Sequence, residues 1–183
     1  MTQNRELFIT DPVTRTIPNN GVAKVIEPHT PEEWAVLRYE LESFVCEGEY
    51  KTGLERILDT YLANLDKAEQ PAVWVSGFYG SGKSHLVRVL EYLWRDVEFP
   101  DGAAARGLTR LPRSIKDYLV DLTTQGKKNG GLWSAAGTLG AGLGKSIRLA
   151  LLSIIFRNTG LPDQYAPAQF VIWLKQNGTY DGV

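Results

Sequence analysis

The chain of 183 residues has few of the features that mark secreted or membrane proteins. Its single cysteine, Cys46, cannot form an internal disulfide, and we expect a packed thiol in a reducing environment. No apolar run approaches the roughly 20 residues that a membrane span needs. The N-terminus also lacks the basic start and apolar stretch of a signal peptide. We therefore expect no membrane association and a cytoplasmic location.

The chain also has no marked excess of charge of either sign. Its 20 basic and 21 acidic residues give a net charge of −1, so the whole chain is not expected to be a strong electrostatic binder of nucleic acid. Local basic clusters occur at residues 106–116 and 127–128, and they fit solvated loop charge better than phosphate contacts. A guanine-reading Asn-Lys-x-Asp sequence is absent, which favours ATP over GTP.

The most informative feature that is present is the sequence Gly-Phe-Tyr-Gly-Ser-Gly-Lys-Ser at residues 77–84. It matches the phosphate-binding P-loop pattern, and it lies between a strand-like run at 72–76 and residues with helical apolar spacing. Glycines allow the backbone to approach a phosphate closely, and the amides and helix dipole attract the anion. Lysine reaches the β- and γ-phosphates, and serine binds Mg²⁺. The predicted nucleotide-binding residues are Gly77, Phe78, Tyr79, Gly80, Ser81, Gly82, Lys83, Ser84 and His85, with Lys83 catalytic and Ser84 the magnesium ligand.

Three side chains in this stretch leave alternatives open. Phe78 and Tyr79 are unusual in a phosphate loop, and they could pack the loop against its neighbours or face the nucleotide base. The backbone N–H of His85 can approach the α-phosphate, while its imidazole is expected to be packed or solvated rather than functional.

The apolar spacing predicts helices before and after the loop. One opens at Thr30 with a capping box and ends at Gly48, and a second covers about residues 49–66. Further helices are expected after the loop, at 147–156 and around 170–174, and a glycine-rich loop is expected over 125–144. We expect two domains: an N-terminal β-arm and helical segment at 1–70, and the first part of a nucleotide-binding core at 71–183.

An ATP hydrolase of this class also needs an acidic residue after a later strand. The run 118–122 is the second predicted strand, and Asp121 within it is the only near fit for this magnesium partner. No arginine finger can be assigned among Arg106, Arg110, Arg113 and Arg157. With two convincing strands, the chain is expected to be an incomplete α/β P-loop NTPase core, AAA-like, with parallel strands and flanking helices.

These residues resemble the start of the large P-loop ATPase of BREX phage-resistance systems (the BrxC/PglY family). The resemblance depends on residues 17–25, 74–85 and 160–165, and the middle segment is the most specific. It implies an AAA-type fold, a role in bacterial antiviral defence, and assembly with other defence components. It also allows for a homo-oligomer and for DNA in the full complex. The P-loop role is carried over to Gly77, Gly82, Lys83 and Ser84.

Three functions follow as hypotheses. The first is an ATP-binding N-terminal portion of a defence ATPase, which binds Mg-ATP through residues 77–84 and has weak or no hydrolysis by itself. The second is a non-catalytic assembly module, in which the helices of residues 30–66 contact partners and nucleotide only orders the structure. The third is a small P-loop kinase, which ranks last because no lid-like arginine cluster can be placed.

Overall fold

The computed structural model describes residues 13–14, 27–139 and 146–180. Seven helices lie in this part of the chain, and no strand does. The helices are α1 (Pro31–Glu42), α2 (Gly48–Leu62), α3 (Lys83–Arg95), α4 (Ala105–Leu108), α5 (Arg113–Lys128), α6 (Ile147–Asn158) and α7 (Tyr165–Gln176). The predicted β-arm lies mostly in residues 1–12 and 15–26, outside the described residues.

The start of α1 confirms the predicted capping box. The Thr30 hydroxyl accepts a hydrogen bond from the Glu33 amide at 3.2 Å, and the Glu33 carboxylate accepts one from the Thr30 amide at 3.1 Å. These two bonds satisfy backbone donors that a helix N-terminus otherwise leaves without partners. The helix ends at Glu42, earlier than the predicted stop at Gly48, and Gly48 instead begins α2.

The core is formed by α1, α2, α3 and α5, with α4 and its flanking loops covering one side. The most extensive helix contact is between α2 and α5. Each helix contributes leucines from one face, and the fully buried ones include Leu37, Leu41, Leu54, Leu58 and Leu122. Burial of each such side chain contributes about 1.5–3 kcal/mol, which makes this shared core the main source of stability.

The predicted α/β fold with parallel strands is wrong for the part of the chain that the structure describes. The run 118–122, predicted as a strand, lies within α5. Ile115, Leu119, Leu122 and Gly126 are buried there at helical spacing, whereas Val120 is 62% exposed. A strand would have alternated its buried side chains instead.

The run 72–76 is not a strand either, because it pairs with no neighbouring segment among the described residues. Every side chain in it is exposed, including Trp74 at 90%. Without a sheet of parallel strands, the description of this chain as an AAA-like P-loop ATPase core loses its structural basis. The only ladder contact within the described residues is a single antiparallel bridge between Glu98 and Ala104.

The predicted glycine-rich loop begins at residue 129 rather than 125. Residues 125–128 are the last turn of α5, and Gly126 is buried against Leu132, whose side chain occupies the place of a Cβ. Residues 129–139 have neither helix nor strand, and the remainder of the predicted loop, 140–144, lies outside the described residues.

The helices α6 and α7, which form a hairpin, include the two segments predicted as helices after the loop, 147–156 and 170–174. Ser146 caps α6 through a 3.5 Å bond from the Leu149 amide, and Gly160 follows the helix end with a φ of 70°. Both helices carry many apolar side chains at their surface. Among the described residues, no helix combines the length and apolar character that crossing a membrane requires.

Candidate phosphate-binding loop

The predicted phosphate loop joins the extended run 72–76 to α3. Gly77, Gly80 and Gly82 have φ values of 156°, 80° and 78°. The last two lie in the left-handed region that favours glycine, and Gly82 is the N-cap of α3 in that conformation. The glycines of the motif therefore occupy positions where the backbone turns in a way that other residues rarely adopt.

Lys83 is the first residue of α3, and its side chain folds back over the loop. Its ammonium donates hydrogen bonds to the carbonyls of Gly77 (3.0 Å) and Phe78 (2.7 Å), and it lies 3.4 Å from the Ser81 hydroxyl. The loop thus surrounds a positive charge with backbone carbonyls. These are neutral acceptors, which an anion could replace with stronger, charge-assisted bonds.

The backbone at the start of α3 adds further donors. The amides of Lys83, Ser84 and His85 donate to no acceptor among the described residues, and the first intrahelical bond runs from Leu86 to Gly82 at 2.8 Å. Free amides at a helix N-terminus, together with the positive end of the helix dipole, favour an anion. The exposed Ser84 hydroxyl lies in the same turn.

Tyr50 of α2 fixes the loop from the other side. Its hydroxyl donates a hydrogen bond to the Ser81 carbonyl, and the same hydroxyl occupies the space where a Cβ on Gly82 would be. Glycine is therefore favoured at position 82 by its φ, and any side chain there would also have to displace the Tyr50 hydroxyl. The sequence does not signal this role of Tyr50, because no local pattern indicates a contact across 31 residues.

The imidazole of His85 has a structural role, as expected. Its Nε2 lies 3.0 Å from the Glu40 carbonyl in the last turn of α1, and because a carbonyl only accepts, this nitrogen donates. The ring also makes an edge contact with Phe44 at 5.6 Å between centroids. His85 thereby satisfies one of the carbonyls at the end of α1 and ties α1 to the start of α3.

An ion pair one turn further along α3 strengthens this connection. Arg88 is 4% exposed, and its Nε lies 2.8 Å from the Glu40 carboxylate, at ion-pair distance but without hydrogen-bond alignment. Burial raises the pKa of Glu40, while the charges of Arg88 and His85 act to lower it. The pair fixes the orientation of α3 and lies on the core side of the helix.

Phe78 and Tyr79 pack against nothing within the described residues. Their exposed fractions are 90% and 97%, which are the highest among the large apolar side chains of the loop region. Of the two alternatives left open by the sequence, packing of the loop by these rings is therefore not observed. Their rings remain available to a ligand or a partner.

The expected acidic and arginine partners do not form part of this loop. Asp121 is exposed on α5 rather than following a strand, so the reason for predicting it as a magnesium partner no longer holds. Within the described residues, no group of three or more acidic, histidine or cysteine side chains is arranged to hold a metal. Ser84 is left as the predicted protein ligand for Mg²⁺.

Arg106, one of the four arginines among which no finger could be assigned from the sequence, is a structural residue. Its guanidinium donates to the carbonyls of Leu93 (2.7 Å), Trp94 (3.0 Å) and Leu119 (2.9 Å), and to the Thr123 hydroxyl (2.7 Å). It thereby satisfies carbonyls at the end of α3 and joins that end to α5. Burial lowers its pKa, partly offset by Asp96.

A cleft of about 780 Å³ opens beside the loop. One wall is the face of α2 formed by Glu49, Tyr50, Gly53, Arg56, Ile57 and Thr60. The opposite wall is the extended segment 72–78, and Ser81, Lys83 and Leu86 complete the lining. Lys83 of the predicted phosphate site therefore lines the same space as the apolar residues of the segment 72–78, whereas Ser84 does not line it.

No family model matches this chain, and no solved structure matches it. The resemblance to the BREX ATPase family stays a prediction from the residues quoted above.

Proposed function

We propose that residues 77–84 and the first turn of α3 bind the polyphosphate of ATP together with Mg²⁺. The observation that carries this proposal is the position of the Lys83 ammonium inside a glycine-formed loop, beside three helix-start amides that have no acceptor among the described residues. A phosphate chain is the ligand that such a set of donors suits best.

Each residue has a distinct part in this proposal. Lys83 exchanges its two backbone carbonyl acceptors for oxygens of the β- and γ-phosphates. The amides of Lys83, Ser84 and His85 donate to the same anion, and the helix dipole adds a favourable field. Ser84 would hold Mg²⁺ through its hydroxyl. When bound, Mg²⁺ neutralises part of the phosphate charge.

A titration of Mg-ATP into the purified chain tests this function. We expect Lys83→Ala to weaken binding by at least about tenfold, because charge-assisted bonds contribute about 1.5–3 kcal/mol. Lys116→Ala is the matched control, since Lys116 is an exposed lysine on α5. Circular dichroism of each variant verifies the fold. Wild-type affinity in the Lys83 variant would rule out the proposed site.

A second function, a nucleotide-dependent assembly module, is favoured by the apolar surface around the loop. Trp74, Phe78 and Tyr79 are each at least 90% exposed, and they are adjacent to the residues proposed to bind phosphate. Sedimentation with and without Mg-ATP separates the two functions. A nucleotide-dependent change in mass without release of phosphate would support assembly, and an unchanged monomer would count against it.

The wider role stays a proposal that follows from the resemblance alone. It would place nucleotide binding by this chain within bacterial antiviral defence, in a complex with other defence components and with DNA. Copurification of the chain with those components from cells, with Lys83→Ala as the comparison, would test whether nucleotide binding governs the association.

A further inference from the structure

The cleft between α2 and the segment 72–78 extends well beyond the residues that would contact phosphate. The loop lies at the Tyr50 end, because the Tyr50 hydroxyl holds the Ser81 carbonyl. From there the lining continues along α2 to Thr60, a rise of about 15 Å for ten helical residues. A phosphate chain bound at Lys83 would leave most of this space unfilled.

The chemistry of the walls differs from that of the loop. Apolar side chains form part of the lining, among them Ile57 on α2 and Val73 and Val75 of the extended segment. Polar groups are interspersed with them on α2, where Glu49, Arg56 and Thr60 also line the cleft. Apolar contact combined with polar groups, in a volume between about 300 and 1,000 Å³, suits a small organic ligand.

Gly53 leaves free space in the α2 wall of this cleft. It lies in the interior of α2, where glycine is less favourable than alanine, and its φ is not in the left-handed region. A Cβ at this position would meet no heavy atom within 4 Å. Neither the backbone conformation nor close packing therefore requires glycine here. The absence of a side chain at position 53 leaves free space in the wall of the cleft.

We propose that this cleft holds the nucleoside of the bound nucleotide, with the base or ribose lying against the α2 wall at Gly53. The inference rests on the proposed phosphate site, because the nucleotide is positioned by Lys83 at one end of the cleft. Ile57, Val75 and Arg56 all line the cleft. In this proposal the two apolar side chains contact the base and the Arg56 guanidinium stacks on it. Gly53 is thus a residue that determines specificity for nucleotides over bare polyphosphate.

The test compares Mg-ATP with magnesium tripolyphosphate by calorimetric titration. In the wild-type chain we expect ATP to bind at least about tenfold more tightly, because the nucleoside contributes apolar contact that tripolyphosphate lacks. In Gly53→Leu, the leucine side chain takes up the space beside Gly53 where the nucleoside would lie, so ATP affinity should fall to that of tripolyphosphate. Tripolyphosphate affinity should stay unchanged.

Two control variants sharpen the result. Gly53→Ala adds only a methyl group, and it should retain most of the preference for ATP. Gly107→Leu places the same leucine at another glycine with free space around it, outside the cleft, and it should bind both ligands as the wild type does. Circular dichroism verifies that each variant folds, and leucine is favourable in a helix interior.

The possible outcomes separate this inference from the proposed function. Equal wild-type affinity for ATP and tripolyphosphate, with no effect of Gly53→Leu, would overturn the nucleoside site and leave the phosphate site standing. Equal loss of both ligands in Gly53→Leu would also overturn it, because the leucine would then be disturbing the loop. Absence of any binding to the wild type would overturn the phosphate site and this inference with it.

Discussion

The helices α1–α5 and the hairpin α6–α7 use similar apolar residues with very different results. In the first region, all the leucines of α1, α2 and α5 except Leu62 are almost completely buried in one shared core. In the hairpin, Leu149 and Leu151 are each about half exposed, and Ile147 is 71% exposed. Apolar content alone therefore does not create a core, because burial depends on the neighbours that cover each face.

The same contrast appears in the polar contacts. Arg106, in the first region, donates to four oxygens of three different helical turns. Arg157, in the hairpin, makes a 3.7 Å ion pair with Asp163 in which both side chains are more than half exposed. We infer that the helices α1–α5 carry most of the chain's stability, and that the hairpin presents surface.

The largest expected difference is between two leucine deletions. Leu54→Ala removes a side chain that is fully buried in α2, and it should lower the free energy of unfolding by about 2–5 kcal/mol. Leu151→Ala in α6 should lower it by about 1 kcal/mol or less, because that side chain is half exposed. Urea denaturation followed by circular dichroism measures both, and equal losses would remove the distinction between the two regions.

A smaller difference is expected between the two arginines. Arg106→Met should cost about 2–3 kcal/mol, because it leaves partly buried carbonyls of α3 and α5 without their charged donor. Arg157→Met should cost about 0.5 kcal/mol or less, as is usual for an exposed ion pair. The measurement is the urea midpoint of each variant. A large effect of Arg157 would mean that the hairpin is stabilised by more than its visible contacts.

The smallest difference concerns the helix caps. Thr30→Ala removes half of a reciprocal capping box and should cost about 1 kcal/mol. Ser146→Ala removes a single 3.5 Å bond, and we expect about 0.5 kcal/mol. Thermal melts at matched concentration can resolve the two values. Serine at position 30 is the control, since it retains the hydroxyl, and its failure to preserve stability would contradict the role given to the cap.

The helices were predictable where a local signal determined them. The capping box at Thr30, the glycine at position 160 and the apolar spacing after residue 84 all act within a few residues along the chain. For the same reason, the conformation of the loop glycines followed from the motif. Local chemistry is sufficient to specify these features, because each one is satisfied by its near neighbours in sequence.

The predicted strands failed because a sheet is a non-local structure. The apolar run 118–122 predicts a buried strand. The spacing of its two buried leucines, Leu119 and Leu122, is instead that of a helix. The segment 72–76 is extended, but no described segment lies beside it to complete a ladder. Tyr50 and Arg106 could not be assigned their roles for a related reason, since their partners are far away in sequence.

The attachment of the first turn of α3 has a mechanical consequence. The His85 side chain is hydrogen-bonded to the end of α1. The Tyr50 hydroxyl connects the Ser81 carbonyl, just before α3, to α2, and α2 packs on α5. The helix start is therefore clamped to the body at two points, on either side of Lys83. We therefore expect any adjustment to an incoming anion to occur in residues 77–80, which precede both points of attachment.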